Sequence, residues 1–252
     1  MILILSDLHF GKSSVEDERA KEADVVSLIR LLRPKIKQLC LLGDVFDHFV
    51  EYEHSIPKGF SRFLGTLAEL ADDGIEITYY LGNHDPWHID YFGTEFNATI
   101  VEDARIEHIG DQSIFMTHGD GKARSSGMYS ILKPILRHPL PTTLYRYLLP
   151  GDTGIRLARW SSRRFSAKET NMETVSLMRQ YAIKKLGNGA DIVVMGHCHH
   201  AELTTFPDGL YLNTGSWHDD RTFATINDSV SLCTWDGSSV TNIEAKPLAQ
   251  HR

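Results

Sequence analysis

Short apolar runs, each followed by a polar turn, recur along the chain. Ile2–Leu5 leads into Ser-Asp-Leu-His, and Ile192–Met195 leads into Gly-His-Cys-His. Runs of this length, rich in Ile, Leu and Val, are typical of buried strands. Three further runs have the same format: Leu39–Leu42, Ile75–Leu81 and Ile114–Thr117. Because ligand sites in open α/β sheets lie outside the carboxyl ends of the strands, we expect a functional site there.

Helical periodicity between these runs predicts an α/β fold. Ser13 and Glu16 have the spacing of a capping box, which predicts a helix that begins there and ends near Pro34. Residues 57–74 begin with proline and end with glycine, and residues 169–186 carry apolar side chains at helical spacing. We therefore expect helices between the strands.

The chain beyond residue 200 changes its pattern. Short alternating runs, separated by Asp-Gly and Asn-Asp turns, predict antiparallel strands. These runs are residues 210–212, 222–226, 231–235 and 240–243. The expected fold is therefore mixed, with strand–helix alternation first and antiparallel strands last.

Residues 121–168 interrupt the strand–helix alternation. They contain ten Lys and Arg against one acid, whereas the rest of the chain holds 16 basic and 32 acidic residues. Short amphipathic pieces separated by prolines predict a helical, basic cap insertion over the strand ends. We expect a core of residues 1–120 and 169–252 around this cap. The positive charge indicates either an anionic partner or a solvated helix surface.

Composition narrows the class of protein. The net charge is −7, and the sequence has no apolar run long enough to span a bilayer. Met1–Leu5 lacks a basic region and runs directly into polar residues, so we interpret it as a strand and not a signal peptide. Three cysteines form no disulfide framework, which favours a reducing cytoplasm.

The polar turns define the chemistry. Taken in order, they are Asp-x-His, Gly-Asp-x-x-Asp, Gly-Asn-His-Asp, His-Gly-Asp and Gly-His-x-His. Together these five motifs resemble those of the calcineurin-like metallophosphoesterase superfamily. The resemblance covers residues 1–120 and 169–217 and implies a four-layer α/β/β/α sandwich with two stacked mixed sheets.

The same resemblance assigns roles to individual residues. Asp44 would bridge two divalent cations, and His84 would lie beside the scissile phosphate. The first cation would be held by Asp7, His9, Asp44 and His199, and the second by Asp44, Asn83, His118 and His197. His84, Asp44 and Asn83 are the predicted catalytic residues.

The chemical nature of these side chains agrees with a dinuclear site. Carboxylate, imidazole and amide donors suit Mn²⁺, with Fe²⁺ or Zn²⁺ as alternatives. Asp47 and Asp85 lie close in sequence to the predicted ligands. Either they orient a ligand histidine from behind or they cap turns and helices. Other histidines, such as His48 and His88, fit no motif and are interpreted as surface or packing residues.

Within the superfamily, the whole chain resembles the UDP-2,3-diacylglucosamine diphosphatases of lipid A synthesis. The resemblance implies cleavage of a pyrophosphate to give UMP and 2,3-diacylglucosamine 1-phosphate, usually with Mn²⁺. Many members of that group carry Arg at the position of His84. The cap would bind an amphiphilic substrate, with apolar side chains such as Leu144, Leu148 and Trp160 lining a groove or packing on the core. Basic residues of the cap would meet the phosphates: Arg124, Arg137, Arg156, Arg159, Arg163, Arg164 and Lys168.

A basic amphipathic cap also predicts peripheral docking on an anionic inner-membrane surface. Two other classes of function stay open. One is a different phosphoesterase on the same core, such as a phosphodiesterase, a nucleotide pyrophosphatase or a nuclease, although we expect no nucleic acid partner. The other is a scaffold without catalysis, which the complete set of predicted ligands disfavours.

Overall fold

The computed structural model describes residues 1–122, 138–165 and 171–248, with the side chains of residues 139 and 161–165 excepted. The helices are α1 (Val15–Leu32), α2 (Ser61–Asp72), α3 (Tyr91–Phe96), α4 (Pro139–Leu148), α5 (Gly151–Phe165), α6 (Met172–Leu186) and α7 (Trp217–Asp220). A short 3-10 turn, Arg33–Lys35, follows α1. The strands are β1 (Ile2–Leu5), β2 (Gln38–Leu41), β3 (Glu76–Tyr80), β4 (Thr99–Val101), β5 (Ala104–Ile109), β6 (Gln112–Thr117), β7 (Ile192–Met195), β8 (Glu202–Phe206), β9 (Gly209–Asn213), β10 (Thr222–Ile226), β11 (Ser229–Trp235) and β12 (Val240–Pro247).

These strands form two mixed sheets. The first has the order β12-β11-β10-β1-β2-β3-β4, and the second has the order β5-β6-β7-β9-β8. Strands β1, β2, β3 and β4 are parallel in the first sheet, and β6, β7 and β9 are parallel in the second. The carboxyl ends of the parallel strands carry the predicted site.

The alternation of side chains along each strand builds the layers. Leu3 and Leu5 belong to the apolar cluster that packs β1 against α1 and α2. Ile2 and Ile4 point the other way, into the cluster shared with β6, β7 and β9. On the far side of the second sheet, Val193 packs with the buried face of α6. The four-layer α/β/β/α prediction is therefore confirmed.

Three details differ from the sequence-based expectation. Residues 210–212 lie in β9, which pairs in parallel with β7 in the second sheet and is antiparallel only to β8. The cap of α1 is Ser14, whose side chain accepts from the backbone of Asp17, one residue later than the predicted box. Strands β4, β5 and β8 had no expectation, because three-residue and half-exposed strands leave little apolar signal.

Helices α4 and α5 dock on the loops that follow β2 and β3. The Arg146 guanidinium donates to the Glu51 carbonyl oxygen through Nε at 2.7 Å. The Tyr145 ring lies edge-on to Trp87, with centroids 4.7 Å apart, and its hydroxyl donates to the Gly154 carbonyl oxygen at 2.7 Å. The division at residues 121–168 stays a prediction, because residues 123–137 and 166–170 lie outside the described residues.

Within the described ranges, we find no helix that combines the length and the apolar character needed to cross a membrane.

Candidate metal centre

The backbone at the strand ends adopts an unusual conformation. Five residues predicted as ligands have positive φ: Asp7 (52°), His9 (45°), Asp44 (51°), His197 (68°) and His199 (52°). A residue with a side chain seldom enters this left-handed region, and doing so costs about 1–3 kcal/mol. The surrounding fold therefore holds these turns in a strained shape that aims their side chains at a common point.

Two glycines allow the turns to approach each other. A Cβ at Gly43 would lie 2.5 Å from Nδ1 of His118, and Gly43 itself has a φ of +85°. A Cβ at Gly82 would lie 2.0 Å from Oδ1 of Asp44. Only glycine permits this close contact between a backbone and a functional side chain.

The first group of donors consists of Asp7, His9 and His199. Nε2 of His199 is 3.1 Å from Nε2 of His9 and 3.3 Å from Oδ1 of Asp7. The Asp7 side chain is fully buried, and its Oδ1 has no hydrogen-bond partner among the described residues. Such a buried oxygen is costly to leave unsatisfied, so these donors fit a bound cation.

The second group consists of Asp44, Asn83, His118 and His197. The His118 ring donates from Nδ1 to the Leu42 carbonyl oxygen at 2.8 Å, which leaves Nε2 facing Oδ2 of Asp44 and Oδ1 of Asn83, each at 3.3 Å. A neutral imidazole in this tautomer offers a lone pair at Nε2. One ligand atom each from Asp44, His118 and His197 lies within 4.8 Å of the others.

Asp44 lies between the two groups. Its Oδ2 is 3.3 Å from Nε2 of His118 and 3.9 Å from Nε2 of His9. Its Oδ1 accepts from the backbone N–H of His84 at 2.8 Å, which fixes the carboxylate orientation. One oxygen is thus placed to serve both groups, which is the arrangement of a bridging carboxylate.

The electrostatics favour bound positive charge. Burial opposes ionisation of Asp7, but the contact with His199 outweighs it and lowers the pKa of Asp7 to about 2. Burial likewise opposes a charge on His118, yet Asp44 raises the pKa of that imidazole to about 10. Burial lowers the pKa of His9 to about 3. A metal-ligating imidazole must have lost its proton, so His9 is already in the binding state, whereas His118 has to release a proton when a cation takes the place of that positive charge.

Asp85 ties the turns after β2 and β3 together. Its carboxylate accepts from backbone N–H groups of Asp44 (3.2 Å), Val45 (2.7 Å) and Gly82 (2.9 Å), and from the Tyr79 hydroxyl (2.5 Å). Of the two roles expected for Asp85, the structure shows the capping of turns rather than contact with a histidine. The effect is still on the site, since the Asp44 backbone is held by this carboxylate.

Asp47 lies behind the histidines. Its Oδ1 is 3.8 Å from Nδ1 of His9 and 3.7 Å from Nδ1 of His84, and its backbone carbonyl oxygen is 3.0 Å from the same His84 nitrogen. Asp47 is buried, so its charge acts on both rings with little screening. The His84 ring stands edge-on to His9 with centroids 4.8 Å apart, which places it beside the first group of donors.

The sequence did not identify Asp219, which contacts a predicted ligand. Oδ2 of Asp219 is 2.6 Å from Nδ1 of His199. The helix α7 that carries Asp219 also places His218 against the buried Lys21, with Nδ1 and Nζ 3.1 Å apart, and Lys21 donates to the His9 carbonyl oxygen at 2.8 Å. The Gly-Ser-Trp-His-Asp-Asp stretch had no metal-binding spacing to reveal this role.

His48 is not simply a surface or packing residue. It is buried, its Nδ1 is 3.6 Å from Oδ2 of Asp47, and its Nε2 accepts from Nε of Arg159 at 3.2 Å. His88 does pack in an aromatic cluster, stacked on Phe49 with centroids 4.5 Å apart.

The predicted cap residues fall into three groups. Arg156 and Arg159 are exposed residues of α5. Arg163 and Arg164 also lie in α5, but their side chains are outside the described part. Arg124, Arg137 and Lys168 lie outside the described residues.

Comparison with known proteins agrees with this geometry. The sequence model of the calcineurin-like phosphoesterase family matches residues 1–201. The chain belongs to this family and is a metal-dependent phosphoesterase, as the donor groups at its strand ends also indicate. Divalent cations are its cofactors, and the residues described above are suited to hold them.

Individual relatives extend the comparison. A UDP-2,3-diacylglucosamine hydrolase of Porphyromonas gingivalis is 30% identical over 201 residues, which cover 79% of this chain and 69% of that protein. A protein of the same name from Edwardsiella ictaluri is 26% identical over 230 residues, covering 86% and 84%. A single mutant of Vps29 from Entamoeba histolytica has the same fold, with a TM-score of 0.50, 16% identity, and coverage of 98% of this chain and 99% of that one.

Proposed function

We propose that this phosphoesterase hydrolyses the pyrophosphate of UDP-2,3-diacylglucosamine and releases UMP and 2,3-diacylglucosamine 1-phosphate. The relatives with that name support the proposal. The observation that carries it is the apolar surface of the two helices docked beside the metal centre. Exposed apolar side chains beside a phosphoesterase centre suit an amphiphilic substrate.

The apolar surface forms a stripe along α4. Leu140, Leu144, Tyr147 and Leu148 follow helical spacing on one side of the helix, and they are 73, 56, 86 and 63% exposed. In α5, Trp160 is 59% exposed and lies next to Arg159 in sequence. For Leu144, Leu148 and Trp160, exposures of this size favour the groove over packing on the core. Apolar side chains beside guanidinium groups match an acylated sugar that carries phosphates.

Divalent cations held by the two donor groups supply Lewis-acid polarisation of the phosphoryl oxygens. The protein residues have separate tasks. Asp44 orients the two groups relative to each other, and Asp85 fixes the Asp44 turn. His84 is oriented by the Asp47 carbonyl oxygen, which lies 3.0 Å from its Nδ1. In its protonated form, His84 donates to the leaving oxygen or stabilises charge that develops on the phosphoryl group.

The finer assignments follow from the same proposal. Mn²⁺ is the proposed ion, since carboxylate and imidazole donors without thiolates suit it. The exposed stripe together with the cationic face of α5 is proposed to rest on an anionic inner-membrane surface from the cytoplasmic side. The described cap arginines, Arg156 and Arg159, are proposed to meet substrate phosphates.

The test is UMP release from UDP-2,3-diacylglucosamine in detergent with Mn²⁺. Asp44→Asn should abolish release, whereas Asp111→Asn, at an exposed turn, should not. If the wild-type protein releases no UMP but cleaves a chromogenic phosphodiester, the lipid assignment fails and nucleotides and nucleic acids become the candidates. Salt-dependent binding of DNA would then favour the nuclease alternative.

A second experiment tests the apolar stripe. Leu144→Ser together with Leu148→Ser should raise KM for the lipid substrate by about tenfold, because two apolar side chains no longer meet the acyl groups. Leu31→Ser is a matched control, since Leu31 is 54% exposed on α1. Equal KM values for all three proteins would contradict a role of the stripe in substrate binding.

A further inference from the structure

The imidazole of His48 lies where the cap meets the metal centre. The residue is only 6% exposed. One edge of the ring faces Gly11, where a Cβ would lie 3.1 Å from Cε1 of His48. The other edge receives the hydrogen bond from Nε of Arg159 in α5 at 3.2 Å. His48 thus connects the loop after β1, the loop after β2 and the cap helix.

The direction of this hydrogen bond defines the state of the ring. An arginine guanidinium only donates, so Nε2 of His48 is an acceptor and its proton lies on Nδ1. That nitrogen points to Asp47, with 3.6 Å to Oδ2. The other oxygen of Asp47 is 3.7 Å from Nδ1 of His84. A single carboxylate therefore separates the arginine anchor from the residue that faces the scissile phosphate.

The anchor uses only one nitrogen of Arg159. Within the described part of the chain, His48 is the one hydrogen-bond partner of Arg159, so its two terminal nitrogens stay available. By contrast, the Arg146 guanidinium in α4 donates hydrogen bonds to the carbonyl oxygens of Glu51 and His88. Arg159 thus combines a fixed Nε with a free fork of donors, the geometry that binds phosphate in a bidentate manner.

We propose that His48 is a positioning residue: it holds the Arg159 guanidinium ready for the phosphate group adjacent to the one bound at the metal centre. The inference deepens the proposed function, because it requires a substrate with two linked phosphates. A long side chain that is already ordered loses less freedom when the substrate binds, so the hydrogen bond from Arg159 to His48 strengthens the binding of a diphosphate.

The test measures inhibition of chromogenic phosphodiester hydrolysis by α,β-methylene-UDP, a diphosphate that cannot be hydrolysed between its phosphorus atoms, at constant free Mn²⁺. His48→Ala should raise the inhibition constant by about tenfold, and Arg159→Ala should raise it at least as much. The double variant should equal Arg159→Ala, because His48 acts only through that arginine. His48→Gln should stay near the wild-type value, since the amide oxygen also accepts from a guanidinium.

Two controls separate positioning from a general disturbance. His54→Ala replaces a histidine in the same loop whose side chain is 89% exposed, and it should leave the inhibition constant unchanged. His48→Ala should still bind two Mn²⁺ per chain in a titration followed by electron paramagnetic resonance. An unchanged inhibition constant in His48→Ala would overturn the inference. So would a full His48→Ala effect on top of Arg159→Ala, or loss of a bound Mn²⁺.

The outcome is independent of UMP release. If the wild-type protein releases no UMP from the lipid but the double-variant pattern holds, the substrate proposal fails and the positioning role stands for another diphosphate. If UMP is released but α,β-methylene-UDP inhibits His48→Ala as strongly as it inhibits the wild-type protein, only the positioning role fails.

Discussion

Gly82 is the position where one methyl group should do the most damage to the metal centre. A Cβ there would lie 2.0 Å from Oδ1 of Asp44 and 2.3 Å from the Asp44 backbone nitrogen. Ordinary contact begins near 3.4 Å, so Asp44 or the Gly82 turn must move by more than about 1 Å. The backbone nitrogen cannot rotate away, because it also donates a hydrogen bond to Asp85 at 3.2 Å.

The expected effect of Gly82→Ala is therefore larger on activity than on folding. Overpacking of this kind costs about 1–3 kcal/mol of unfolding free energy. A displacement of about 1 Å at a carboxylate shared by both donor groups should lower kcat/KM by about a hundredfold. The affinity for at least one Mn²⁺ should fall as well, since Asp44 contributes to both groups.

Thermal unfolding, Mn²⁺ titration and hydrolysis of a chromogenic phosphodiester measure the three effects. Gly65→Ala is the matched control: Gly65 is exposed in the middle of α2 and a Cβ there meets nothing within 4 Å. It should stabilise the protein by about 1 kcal/mol without changing activity. If Gly82→Ala keeps two bound Mn²⁺ and kcat/KM within threefold of wild type, the argument from close approach is refuted.

Three further predictions concern the surroundings of the site. Asp219→Ala removes the acceptor from Nδ1 of His199, so Mn²⁺ affinity should fall by about 10–100-fold in a titration, whereas the neighbouring Asp220→Ala should match wild type. Chelation by EDTA should lower Tm, because a ligand present at 100 times its Kd stabilises the folded state by about 2.7 kcal/mol. The decrease should grow with the concentration of metal that is withdrawn. An unchanged Tm would contradict metal binding to the folded state. Burial lowers the pKa of His88 to about 3, so between pH 6.5 and 3 the folded state binds fewer protons than the unfolded state. The contribution of the neutral His88 ring to the unfolding free energy is therefore complete above pH 6.5 and is lost as the pH falls towards 3. In metal-free protein, His88→Phe should therefore lose less unfolding free energy than the wild type when the pH falls from 7 to 4.5. The difference should reach up to about 1.4 kcal/mol for each pH unit below 6.5. Equal losses of unfolding free energy in the two proteins would refute this prediction.

The core of the fold was predictable because its signals are local. A strand such as β1 is buried on both faces, so Ile2–Leu5 is uniformly apolar, and its end is marked by the polar residues that follow. The order of five such ends carries the family resemblance, which predicts Asp7 and His118 among the metal ligands, and the structure brings both into groups of residues that could hold a metal ion. Pairing partners are a non-local property, which explains why β9 was expected in an antiparallel sheet and lies parallel to β7.

The supporting residues were less accessible to sequence reasoning. Asp219 follows His199 by 20 residues and reaches it only because α7 folds back over the carboxyl ends of the strands. His48 accepts a hydrogen bond from Arg159, which lies on a helix more than a hundred positions later in the chain. Neither residue has a spacing that distinguishes it from a surface acid or a packing histidine.

The sequence by itself determined the class of protein, the layered α/β core and the side chains that can hold metal, because apolar runs and donor motifs are written in consecutive residues. The tertiary structure decided which oxygen of Asp44 faces both donor groups, which turns adopt a left-handed backbone and which glycine positions cannot accommodate a side chain. It also decided that Arg159 rests on His48. These features depend on distances between segments remote in the chain, which only packing of the two sheets and the cap helices can set.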